Sequence, residues 1–392
     1  MDQPNPFDGG LLGDLLKVLS GQAGGSPWFE SAKALALGVA ASEQPESNPD
    51  PLARIAIERV ADVAARHVSD LTGHLVSASD LTAVGRGPWA LAQLDAWRPQ
   101  IEAVIEAQSA STATSLTQLA SEDGEMPAMF GQLAATLGPM LLGMQFGSAA
   151  GHLAERALGS YALPLPWPSG APLLLVPENI GAFAEDWSIP LEEARLFAVT
   201  RELAGRTVIS SPAVADRINE LLGAAMRDTL GAQSSLLEKL GSGGDPEMLA
   251  SLMGDPEALM AELSTPQGLE STARLTAATT ALAAYVDHLA ATVASRLTAS
   301  HSLLVEAWRR HRITDAKGEQ AAGGLFGLDL SANEVERGDA FVTGVLERAG
   351  EDGLARLLEG GITLPTPSEI DAPGLWLERI ALPELGEGQL GD

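Results

Sequence analysis

The five residues Arg201-Glu202-Leu203-Ala204-Gly205 differ at two positions from a zinc-hydrolysis motif. With histidine at both ends they would read H-E-x-x-H. Two imidazoles at i and i+4 share one helix face and bind a single zinc ion. The glutamate between them takes a proton from metal-bound water. Here the first ligand position is Arg201 and the second is Gly205, and only the general-base position, Glu202, holds the residue this chemistry needs. A guanidinium does not ligate a cation and opposes one electrostatically. An Arg-Glu pair on an amphipathic helix also has an ordinary reading, a solvated charged face. Glu202 beside Arg201, Arg206 or His288 would then be held ionised in a structural role.

The element that positions these residues runs from Pro190 to Ile209. Pro190 suits a first helical position, and Glu192 and Glu193 place acids in the first turn, at the positive end of the dipole. A displaced metal site needs other ligands. The six histidines are His67, His74, His152, His288, His301 and His311, and no two are three or four apart. Asp287 and His288 are adjacent, about 100° apart around a helix, so they do not readily share one ion. His152 follows a glycine-rich helix. A site rebuilt from His152, Glu202, Asp287 and His288 is the arrangement these residues leave open. There is no G-x-S-x-G, no G-x₄-G-K-[ST], and no G-x-G-x-x-G after a strand.

Charge and composition exclude further classes. Lys plus Arg number 24 and Asp plus Glu 52, a net charge of −28 over 392 residues. So negative a chain is a poor partner for nucleic-acid backbones or anionic lipid, so neither nucleic acid nor membrane is expected as a partner. The absence of cysteine removes disulfides, thiolate metal sites and a cysteine nucleophile. It fits a reducing, cytoplasmic setting, as does an N-terminus (MDQPNPFDGG) without a basic or apolar targeting segment. Hydrophobic residues at 45 % and aromatics at 4 % favour closely packed helices.

The organisation follows from turn and cap signals. Residues 1–49 read as a flexible arm and linker carrying a short helix at Leu11 to Leu19 and another over 28–42. Residues 50–382 read as a single helical domain, and 383–392 as a flexible tail. Asp50-Pro51 opens a clear helix to Leu71. Ala78 to Trp89 reads as a loop or short helix, and Ala90 to Leu119 as helical with a break near Pro99. Met126 to Gly151 has no charged residue, a membrane-length span. Pro127, Pro139 and many glycines argue instead for a buried, bent helix. Gly143, Gly147 and Gly151 give small-x₃-small spacing, which permits close helix approach in water as in lipid. Leu173 to Val176 is the best strand, with Ile362 to Leu364 its expected partner. Two Gly-Asp-Pro-Glu segments, at 244–247 and 254–257, form a local duplication. Pro266 opens a long helix to Leu297 that carries Ala283, Asp287 and His288. Gly318 to Gly327 reads as a loop, Ser331 to Ala349 as a helix, and the tail after Thr363 as mostly irregular.

Several stretches, in order and spacing, resemble the zincin-like metallopeptidase family of actinobacteria and their relatives. Its members are largely uncharacterised hydrolases or zinc-dependent metalloproteases by description, some linked to biosynthesis of the deazaflavin coenzyme. The stretches are QFGSAAGHLA at 145–154, LPLP at 163–166, LLLVPENIGAFAE at 173–185 and EEARLFAVTRELAG at 192–205. The DPEMLASL and DPEALMAEL repeats, LAAYVDHLAA at 282–291 and GLFGLDLSA at 324–332 follow. The N-terminal third matches weakly. The resemblance implies a further acidic ligand on the long helix, ahead of Tyr285-Val286-Asp287-His288, where this chain has Ala283-Ala284.

The expectation is therefore a mainly α, zincin-like multi-helical domain with a small β element. It is a family member with a degenerate metal motif (Arg201, Gly205, Ala283), no cofactor and no metal, that acts as a binding or scaffold protein for a protein or peptide partner. Two alternatives stand beside it. One is an active family hydrolase that uses Glu202 with zinc on non-standard ligands. The other is a structural, oligomerising protein whose glycine-rich helix is the interface. Nothing in the sequence sets the oligomeric state.

Overall fold

A computed structural model describes residues 26–41, 48–119, 125–241, 266–314 and 317–382. The Leu11–Leu19 segment, the duplicated Gly-Asp-Pro-Glu segments and the 383–392 tail lie outside them. Among the described residues there are twelve α-helices and two short strands, a mainly α fold with a small β element. In chain order the helices are α1 (Pro27–Ala40), α2 (Pro51–Thr72), α3 (Arg86–Leu119), α4 (Glu125–Ala154), α5 (Pro177–Asp186) and α6 (Leu191–Val208). They continue with α7 (Pro212–Gly241), α8 (Pro266–Leu297), α9 (His301–Ile313), α10 (Lys317–Phe326), α11 (Ala332–Ala355) and α12 (Pro373–Ala381). No helix among the described residues is long and apolar enough to cross a membrane.

The chain forms two compact units. The first contains α1, α3 and α4. Its logic is the glycine stripe. A Cβ added at Gly143 would collide with the Trp28 carbonyl, one at Gly147 with the Ala32 carbonyl, and one at Gly151 with the Val39 side chain 2.6 Å away. The stripe therefore lets α4 lie directly on the backbone of α1, whose Trp28, Phe29, Ala32 and Ala36 are buried. The glycine face read as an oligomer interface is covered by a helix of its own chain. Gly147→Ala should destabilise this unit by about 1–3 kcal/mol through overpacking against a backbone that has no rotamer to change. Chemical denaturation followed by far-UV circular dichroism measures it, and an unchanged midpoint would contradict the packing.

The second unit holds α2, both strands and everything after Ala157. Asp50 caps α2 by accepting the Leu52 amide at 2.9 Å, with Pro51 in the first position. The strand β2 (Leu173–Leu175) is wholly buried. It pairs in parallel with β1 (Leu81–Ala83), Leu81 opposite Leu173, and not with residues 362–364. That expectation fails because Gly361–Thr363 closes into a 3-10 turn between the left-handed Gly360 and Leu364, while the Ala78–Trp89 loop supplies the strand. Two further segments are more ordered than their sequence suggests. Lys317–Phe326 is helical despite Gly318, Gly323 and Gly324, and the proline-rich tail forms α12, which inserts the fully buried Trp376. The Trp376 indole donates to the Thr363 carbonyl at 2.6 Å.

Helix α6 lies at the centre of this unit, packed by α2, α5 and α8. Every residue from Leu196 to Gly205 is buried. It starts one residue later than predicted, with Pro190 as the cap, so Glu192 and Glu193 remain in the first turn. The Glu193 carboxylate reaches across to accept the Ser300 amide at 3.0 Å, fixing the turn between α8 and α9. An all-round buried helix has no solvated face, so Arg201 and Glu202 must find partners inside the protein.

Candidate functional site

Arg201 is 6 % exposed and Glu202 only 1 %. Adjacent on the helix, they point to different neighbours. The Arg201 Nε donates to Asp287 Oδ1 at 3.0 Å, one turn beyond Ala283 on α8. Its guanidinium carbon stands 3.9 Å from the centroid of the Trp308 ring on α9. The Trp308 indole donates to the same Asp287 oxygen at 3.0 Å, and Arg312, one turn on, bonds the other oxygen. His311 stacks on Trp308, with centroids 5.4 Å apart. One carboxylate is thus shared by two guanidiniums and an indole, and the cluster ties α6, α8 and α9 together. Burial makes such charge-assisted bonds strong and their loss costly.

Glu202 faces a different wall. Its two carboxylate oxygens lie 3.4 and 3.2 Å from the Tyr161 amide, which donates to them. Gly159 has no side chain because a Cβ there would run into the Glu202 carboxyl. Burial pushes the Glu202 carboxyl up to about 7; Arg201 and the Tyr161 and Ser160 amides pull the other way without cancelling it. The expected ionised pairing with Arg201, Arg206 or His288 does not occur. Arg201 is committed to Asp287, Arg206 to the Ala171 carbonyl at 2.6 Å, and His288 to Glu351 at 2.8 Å.

Gly205 is filled from outside. A Cβ there would lie 2.6 Å from the Tyr161 ring, which occupies the space a second imidazole would need. The Tyr161 hydroxyl meets Ser210 Oγ at 2.7 Å, and burial raises its own proton affinity. Ala283 is buried and lines a small cleft with Pro164, Thr280, Arg312, Asp329 and Glu334. Its acids are occupied: Glu334 pairs with Arg337 at 2.6 Å and accepts from Thr280 at 3.3 Å.

Within the second unit the predicted site residues fall into separate arrangements. Arg201 and Asp287 are joined directly. Glu202 stands against the Gly159–Tyr161 backbone. His288 turns away from Asp287, as adjacent helical positions require. His152 is exposed on α4 in the first unit, its Nδ1 2.8 Å from the Ser148 carbonyl oxygen. Among the described residues no group of three or more His, Asp or Glu side chains is placed to hold a metal ion. The residues present do not fit zinc. Arg201 is a fixed cation, Gly205 is closed by an aromatic ring, and Ala283 carries only a methyl group. Sequence reading missed Tyr161, Trp308, Arg312 and Ser210. The i, i+4 spacing of Trp308 and Arg312 was a visible signal; the approach of Tyr161 to Gly205 across 44 positions was not.

The comparisons define the class. The sequence profile of the family described as zincin-like metallopeptidase matches residues 29–377, so the chain belongs to that family. The match reaches into the N-terminal third, where the motifs alone were weak. Among solved structures, one from Chloroflexus aurantiacus, described as a candidate hydrolase with a novel fold, is similar at 21 % identity and a TM-score of 0.61. The alignment covers 91 % of this chain and 99 % of that one. At that identity the likeness is one of fold. Comparison with curated proteins finds none that matches.

Proposed function

We propose that this chain is a non-catalytic member of the zincin-like family, with a degenerate metal motif, acting in the cytoplasm as a binding or scaffold protein for a protein or peptide. The observation that carries this reading is the Arg201–Asp287 pair. A buried guanidinium at the first ligand position repels zinc and holds an acid that could otherwise have served as a ligand. The Tyr161 ring over Gly205 supports it independently, since restoring a histidine there needs the ring to leave. Protein purified without chelators should contain well under one zinc per chain by elemental mass spectrometry. It should gain no thermal stability when zinc is added. Zinc near one per chain would overturn the reading.

One observation favours a hydrolase instead. A carboxyl with a proton affinity near neutrality has the balance wanted of a general base. In that reading Glu202→Gln abolishes hydrolysis of a peptide or ester library while the fold stays intact. Equal turnover by parent and variant removes it. Against it stands the 1 % exposure of Glu202, which keeps bulk solvent and any substrate away from the carboxylate.

A further inference from the structure

The segment from Gly159 to Ala171 crosses the C-terminal part of α6, and its attachment has an unusual form. Three side chains at i, i+4 and i+8 take its main-chain groups. Glu202 accepts the Tyr161 amide, Arg206 donates to the Ala171 carbonyl at 2.6 Å, and Ser210 accepts the Trp167 amide at 2.7 Å. Gly205, inside that stripe, offers bare backbone to the Tyr161 ring. The segment belongs to no helix or strand. It is tied to the sheet at both ends: Ser160 exchanges bonds with Leu174 and Gly159 bridges Leu175, while the Trp167 indole donates at 3.0 Å to the Pro172 carbonyl, one residue before β2. Pro164, Pro166 and Pro168 remove three amide donors and stiffen it in an extended form. At the Ala171 end Gly170, at φ +77°, turns with nothing within 4 Å of where its Cβ would be, and residues 168–170 are exposed. Pro164 forms part of the wall of the cleft over Ala283.

We infer that Gly159–Ala171 is a displaceable strap, latched by Glu202 and Arg206 of α6 and by Ser210 just past its end, and able to bow outward between its sheet-tied ends while the helices beneath stay folded. Closed, it covers the motif face of α6 and narrows the cleft beside Ala283. Open, it bares both. The buried Leu163, Leu165 and Trp167 keep the closed form dominant, so the open form is a minor state of the kind native hydrogen exchange detects. The inference rests on contact geometry and not on the absence of zinc chemistry, and bound zinc would overturn that reading without altering strap exchange.

Native-state hydrogen exchange of the full chain tests it. The Tyr161 amide should exchange at least about tenfold faster than those of Val286 and Leu289 in the core of α8, through an opening smaller than global unfolding. Ser210→Ala removes both bonds at the far anchor and leaves the Tyr161 amide its own acceptor. It should speed exchange at Tyr161 about tenfold more and leave α8 unchanged. Should that variant not fold, the chain's lack of cysteine offers a second measurement. A single thiol from Leu165→Cys should label about tenfold faster than one from Ala281→Cys under native conditions. Tyr161 exchanging at the α8 rate, or the two thiols labelling alike, overturns the strap.

Discussion

Asp287→Asn should lower unfolding free energy by about 3–5 kcal/mol, the largest single effect expected in this protein. The reason is an asymmetry between partners. Among the described residues Asp287 is the only carboxylate bonded to Arg201, which is 6 % exposed. A guanidinium does not shed its proton to escape burial, so removing the Asp287 charge leaves a permanent cation facing Trp308 with no carboxylate bonded to it. Arg201→Met leaves less behind. Asp287 keeps Arg312 and the Trp308 indole, and the new side chain fills most of the arginine stem's volume. The double variant should therefore recover part of the Asp287→Asn loss, giving a favourable coupling of about 1–3 kcal/mol. Urea unfolding of the four proteins closes the cycle. If Asp287→Asn costs less than Arg201→Met, the buried charge is not what holds α6 to α8. Because the pair is desolvated, the coupling should change little with added salt, unlike that of a surface bridge.

Glu202→Gln should change the pH dependence of stability. The carboxyl takes up its proton near 4.5 in the unfolded chain and at about 7 in the folded one. Between those values the folded state binds more protons than the unfolded state, so stability falls as pH rises. The contribution is fully present below 4.5, is lost across the window, and is gone above pH 7. Its size is on the order of 3 kcal/mol. Glutamine accepts the same Tyr161 amide and carries no proton to lose. The variant should therefore gain on the parent progressively from pH 4.5 to pH 8. Parallel stability profiles for the two proteins would show that Glu202 stays ionised when folded, or that water reaches it.

Much of the fold was legible locally. Asp50-Pro51, the acids at 192–193 and Pro266 marked helix starts that the structure contains, because caps and first turns depend on neighbours within four residues. The Gly143, Gly147, Gly151 stripe announced a close helix contact but not its partner, since three small residues describe a surface and not what lies on it. The pairing of β2 was misassigned for a related reason. A three-residue strand carries too few side chains to specify a register, and Leu81–Ala83 has no stronger pattern than residues 362–364. Lys317–Phe326 was missed because three glycines outweigh local propensity until packing of Ala322 and Phe326 offsets their cost.

By itself the sequence determined that residues 201–205 read Arg-Glu-Leu-Ala-Gly, two letters away from H-E-x-x-H, on a strongly signalled helix. It also determined that −28 net charge and no cysteine leave little room for several other chemistries. Tertiary structure alone decided what those two letters mean physically. It set Arg201 against Asp287 from 86 positions away, laid Tyr161 over Gly205, and sealed Glu202 from water so that its proton stays near neutral pH. A side chain's type is local, but its charge state and partner depend on which distant backbone excludes the solvent around it.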